Sequence, residues 1–169
     1  MKKALEVLNK IKEKGLVEDY AIGGGIATIF YTEPVFTYDL DVFVLVRPES
    51  SSKILSFAPI YSYLENKNYP WKGEHIVIEG IPVQFIPAAG ELEQNAVKNS
   101  AVITYSGIKT KVLPPEYLIA IALKVGRGKD FEKVGRLLGQ AKIDKNILEK
   151  ILKKHHLWEV FKRWKAKLN

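Results

Sequence analysis

The chain has no cysteine and a single methionine among 169 residues. Disulfides and thiolate metal sites are thereby excluded, and any metal must be held by oxygen or imidazole. No apolar run approaches the roughly 20 residues that cross a bilayer. The opening segment, MKKALEVLNKIKEK, is charged throughout and has no apolar centre, so it does not read as a secretory signal. The expectation is a cytoplasmic protein with no membrane partner. Internal repeats and low-complexity linkers are missing too, which argues for one domain with, at most, a small helical appendage.

What is present is a large apolar fraction, 47%, enough to fill a core at this length. The net charge of +7 is uneven. Residues 142–169 hold nine Lys/Arg against three Asp/Glu, so +6 of the total sits in the tail. A basic tail invites nucleic acid or another polyanion. The plainer reading is a lysine-rich solvated helical surface. Trp158, Phe161 and Trp164 recur there at three-residue spacing, as base-stacking groups or, more simply, as a helix-packing stripe.

Periodicity gives a mixed order of elements. Leu5, Leu8 and Ile11 mark a helix over 3–14, stopped by Gly15. Residues 17–22 suit a short strand, 26–31 a helix, and 40–46 a buried strand. Ser50–Ser52 suggest the cap of a helix running to about Asn66. Residues 75–79 and 82–86 read as a hairpin around Gly80–Ile81, with Glu79 opposite Pro82. Its apolar face carries Ile76, Ile78, Val83 and Phe85, and the other face His75, Glu79 and Gln84. A helix over 91–98 and a second hairpin around Ser106–Gly107 follow. Helices are expected over 115–125, from Lys129 or Asp130 to Leu138, near 144–154 and near 156–167. The class is α+β or mixed α/β, with a core over 1–112 and a helical region over 113–169 packed on it.

The chemistry concentrates at Asp39 and Asp41, which open the apolar run TYDLDVFVLV. In a strand, residues i and i+2 share a face, about 7 Å apart. Two carboxylates at one strand mouth repel each other and resist desolvation. A hard dication such as Mg²⁺ removes both problems. Upstream, Gly23–Gly25 lie between a strand and a helix, where bare backbone can approach a phosphate or simply make a tight turn. Neither familiar phosphate loop is matched: Thr28 spoils GxGxxG, and Leu123 and Asp130 spoil GxxxxGK[ST].

Taken in order, AIGGGIA, TYDLDVFV and LPPEYLIAIALKVGRGKDFEKVGRLL carry a resemblance over roughly residues 16–138. The first two segments resemble the polymerase-beta-like nucleotidyltransferase superfamily. The third is similar to the Lys…Arg-x-Lys-Asp helix pair of the branch that includes the abortive-infection toxin AbiEii. The resemblance implies a minimal nucleotidyltransferase fold, a small mixed sheet with flanking helices, followed by C-terminal helices. It implies that Gly24 and Gly25 contact the triphosphate of an NTP, with Lys124 and Arg127 near phosphate or substrate. Asp39 and Asp41 would bind Mg²⁺ or Mn²⁺. An NMP would pass to an acceptor hydroxyl on RNA, a protein or a small molecule, in a setting that includes toxin–antitoxin or defence systems.

Two departures stand out. The superfamily's third acid falls at Gln84, and an amide is no general base near neutral pH. His75 or Glu79, on the same hairpin face, are the substitutes to consider. The segment before the acids, Pro34–Val35–Phe36, lacks the family's basic residue. The alternative function is therefore a catalytically degenerate nucleotide- or RNA-binding protein of the same fold. Asp130 is expected to pair with Arg127 or cap the following helix.

Overall fold

The computed structural model describes residues 1–34, 36–46 and 56–167. Among these, seven strands form one mixed sheet and eight helices surround it. In chain order they are α1 (Lys2–Glu13), β1 (Asp19–Ile22), α2 (Gly24–Ile29), β2 (Leu40–Leu45) and α3 (Ala58–Glu65). Then come β3 (Trp71–Lys72), β4 (His75–Ile78), β5 (Ile81–Pro87), α4 (Glu91–Lys98), β6 (Ala101–Tyr105) and β7 (Ile108–Val112). Four helices close the chain: α5 (Pro115–Val125), α6 (Gly128–Gln140), α7 (Lys145–Lys154) and α8 (Trp158–Ala166).

The strand order is β3-β4-β5-β2-β1-β7-β6. β2 lies at the centre, antiparallel to β1 and parallel to β5. Its residues Leu40, Val42, Phe43 and Val44 are all buried, as expected of a strand covered on both faces. Only Asp41 interrupts that run, at the strand's N-terminal end. One apolar core passes from α1 (Leu5, Leu8) through the sheet to Leu118 and Ile119 of α5 and Leu152 of α7. It crosses residues 112–113 without a break, since Val112 and Leu113 are themselves fully buried.

The expected hairpin over 75–86 is present with a shifted turn. The loop is Glu79–Gly80, and Ile78 pairs with Ile81. Both loop residues have positive φ, 50° and 81°, the type I′ geometry that matches strand twist. Ser106 and Gly107 repeat it, at 49° and 81°. Moving the turn by one residue keeps the face assignments but changes partners. Ile76 pairs with Val83, which sets His75 across from Gln84. Glu79 leaves the strand face altogether: it accepts a hydrogen bond from the Tyr69 hydroxyl at 2.9 Å and lies near Lys3.

The helix expected from Ser50 starts instead at Ala58, with a proline in its first turn. Ser50–Ser52 lie outside the described residues. Short β3 escaped the sequence reading, being only two residues long. Among the described residues, no helix is long and apolar enough to cross a membrane.

Candidate functional site

The three glycines pack against the residues that follow them. A Cβ on Gly23 would strike the Phe43 ring, one on Gly24 the Asp41 carboxylate, and one on Gly25 would sit 2.7 Å from Thr37 Oγ1. Gly24 also has a φ of 58°. The turn thus brings bare backbone against the two-carboxylate strand, and the missing side chains are what let Asp41 sit there.

Asp39 and Asp41 are both half-buried. The Thr37 hydroxyl donates a long hydrogen bond, 3.4 Å, to Asp39 Oδ1. His75 Nε2 lies 3.6 Å from Asp39 Oδ2, close enough for charge to act and too far for a hydrogen bond. Burial pushes the Asp41 carboxyl above its ordinary pKa, and the Asp39 charge pushes the same way. Lys133, Lys129 and His75 oppose that rise. Gln84 is the direct neighbour of Asp41 across the parallel β2–β5 pair. His75, Gln84 and Asp41 therefore form one row across the sheet face.

Of this row, Asp41 lines a cleft of about 490 Å³, and His75 and Gln84 lie beside it outside that lining. One wall is the glycine turn and the segment before β2: Gly25, Thr28, Phe36, Tyr38 and the two aspartates. The other is α6 and its N-cap, with Arg127, Lys129, Lys133 and Arg136, and a single acid, Glu132. A smaller recess of about 120 Å³ runs from Gly24 and Asp41 to Gln84 and Arg127. Lys133 and Arg136 were not singled out from sequence. Their signal was there: Lys129, Lys133 and Arg136 follow i, i+4, i+7 and share a helix face.

Lys124 lies elsewhere. It lines neither cavity, and its Nζ is 2.6 Å from Oε1 of buried Glu93. Arg127 is the N-cap of α6, and its Nε is 2.7 Å from Asp130 Oδ2. Asp130 is 2% exposed and also accepts the Arg127 backbone N–H. Burial alone would raise its pKa, but the Arg127 hydrogen bond and the Lys133 charge hold it below the ordinary value. The tail aromatics turn inward: Trp164 stacks on Phe131 of α6 at 6.4 Å between ring centres and meets Phe161.

By sequence, no protein-family model and no curated protein matches the chain. By structure it is similar to an antigenic nucleotidyltransferase-like protein from Paracoccidioides brasiliensis, with a TM-score of 0.56 at 14% identity. That match covers 95% of this chain and 93% of the other. It is also similar to ANT(2″)-Ia in complex with adenylyl-2″-tobramycin, with a TM-score of 0.52 at 12% identity over 98% of both chains. The fold is therefore that of nucleotidyltransferase-like proteins.

Proposed function

We propose that the protein is a metal-dependent nucleotidyltransferase that moves an NMP from an NTP to an acceptor hydroxyl. One observation carries the reading. Two carboxylates, one of them pressed against the backbone of a glycine turn, face a cationic helix wall across a cleft of nucleotide size. Asp39 and Asp41 would hold Mg²⁺ or Mn²⁺. The donor set fits: both ligands are hard oxygens, and burial and repulsion burden Asp41 in a way a cation relieves. Among the described residues, no group of three or more His, Asp or Glu side chains is arranged around a metal. The remaining oxygens would then come from the phosphates, as is common for Mg²⁺. When bound, the metal neutralises phosphate charge as it develops during transfer.

This chain's residues supply the rest. The Gly24–Gly25 backbone, Arg127, Lys129 and Lys133 draw the triphosphate into the cleft. The acceptor oxygen attacks the α-phosphorus, the bond to the β-phosphate bridging oxygen breaks, and pyrophosphate leaves. The acceptor proton needs a base, and Gln84 is none. His75, beside Gln84 and 3.6 Å from Asp39, is the basic group on that face, and it takes the proton. His75→Ala should cut the transfer rate by about 100-fold or more, while ATP binding persists. The decisive test is ATP binding with and without Mg²⁺, together with transfer from labelled NTPs. If Asp41→Asn leaves Mg²⁺-dependent binding intact and no acceptor pool is labelled, the proposal fails.

A second reading rests on Gln84 standing in register beside Asp41. In it the cleft binds nucleotide without turning it over. Gln84→Asp separates the two: transfer gained only in that variant identifies the wild type as a degenerate binder.

A further inference from the structure

Phe36 and Tyr38 are the most exposed large apolar side chains among the described residues, at 82% and 76%. They meet edge to face, ring centres 4.5 Å apart, so the two rings form an L-shaped corner. Among the described residues nothing covers these two rings. Both rings line the same cleft as Gly25, Asp39 and Asp41, on the wall opposite Lys129, Lys133 and Arg136.

We propose that Phe36 and Tyr38 form the base-binding corner of this cleft, stacking the nucleobase of the incoming NTP. The inference rests on the nucleotidyl-transfer reading and adds what holds the far end of the substrate. An NTP has one polyanionic end and one flat aromatic end. The cleft has a cationic wall and, facing it, a wall that carries both the carboxylates and the aromatic pair, within a volume that a single nucleotide fills. The base lies on one ring face and sets its edge against the other ring. Because every base has a π-face, the corner grips any base and selects among them only by stacking strength. The tail aromatics pack on one another, with Trp164 against Phe131 of α6, and line no part of the cleft, which leaves this pair as its aromatic surface.

The test is calorimetric titration with ATP and with inorganic tripolyphosphate, both with Mg²⁺, on the wild type and on the Phe36→Ala/Tyr38→Ala double variant. Both side chains are exposed, so the variant keeps its fold, which a thermal melt checks. The wild type should bind ATP at least about ten-fold more tightly than tripolyphosphate. The double variant should lose that advantage and keep its tripolyphosphate affinity. Equal affinities in the wild type, or an ATP advantage that survives in the variant, overturn the corner alone. If neither ligand binds with Mg²⁺, the nucleotidyl-transfer reading falls with it.

Discussion

A methyl group on Gly24 would occupy the space that the Asp41 carboxylate fills, and its φ of 58° is strained for any other residue. Gly24→Ala should therefore cost about 1–3 kcal/mol, and should abolish Mg²⁺-dependent ATP binding by displacing Asp41. Unchanged binding in that variant would mean that the contact is incidental. Asp41→Asn should behave oppositely in one respect. The pKa of Asp41 is raised, so its charged form opposes folding, and the contribution it makes when protonated is lost as pH rises through its folded pKa. Removing the charge should stabilise the metal-free protein by about 0.5–1 kcal/mol near neutral pH, while Mg²⁺-dependent binding is lost. Melting curves with and without Mg²⁺ read both effects. A lower melting temperature in the variant would show that the carboxylate has a structural partner after all. A group that weakens the fold and has no structural task is where function is expected.

At the scale of elements, Asp19 ties three together. Its carboxylate sits at the start of β1, accepts from Lys12 of α1 at 2.7 Å, and pairs with Lys111 of β7. Burial opposes its charge, but the Lys111 and Lys12 hydrogen bonds win and lower its pKa below 3.8. A lowered carboxylate pKa gives stability that is present above about pH 4 and is lost as pH falls through the folded value. Asp19→Asn should cost about 1–3 kcal/mol at pH 7 and flatten the acid limb of the stability curve. A variant that matches the wild type at pH 7 would count against the tie.

Elements with a strong local signal were readable from sequence. Helix α1, the strand β2 and both hairpins follow from apolar period and turn residues. The first hairpin's turn was misplaced because Glu-Gly and Gly-Ile both look permissible, and strand twist favours the pair with Gly second. That one-residue shift decided the site: it set His75 opposite Gln84 and sent Glu79 to Tyr69.

For the whole molecule, the aspartate pair and the glycine turn were legible because they lie close in sequence. The cationic face of α6 was legible as a helix face, but its place opposite the aspartates was not, because α6 reaches the cleft only through tertiary packing. Lys124, from the same sequence segment, pairs with Glu93 and lines neither cavity. The basic tail is the clearest case of composition pointing away from place. Lys153, Lys154 and Lys162 pair with Glu149, Glu91 and Glu159. These exposed pairs add little stability. What anchors the tail is apolar: Leu148, Ile151, Leu152, Leu157 and Phe161 are buried. At about 1.5–3 kcal/mol each, that burial is comparable to the entire stability of an ordinary domain. A polar tie adds to it, because the buried Glu116 side chain accepts the Asp144 backbone N–H at 2.8 Å. Ending the chain at Gln140 would expose the faces of α5 and α6 that these residues cover. The shortened protein should show no cooperative melt and should aggregate. If it melts cooperatively and binds ATP as the full chain does, the tail is a separable arm, and its charge is free to serve a polyanion.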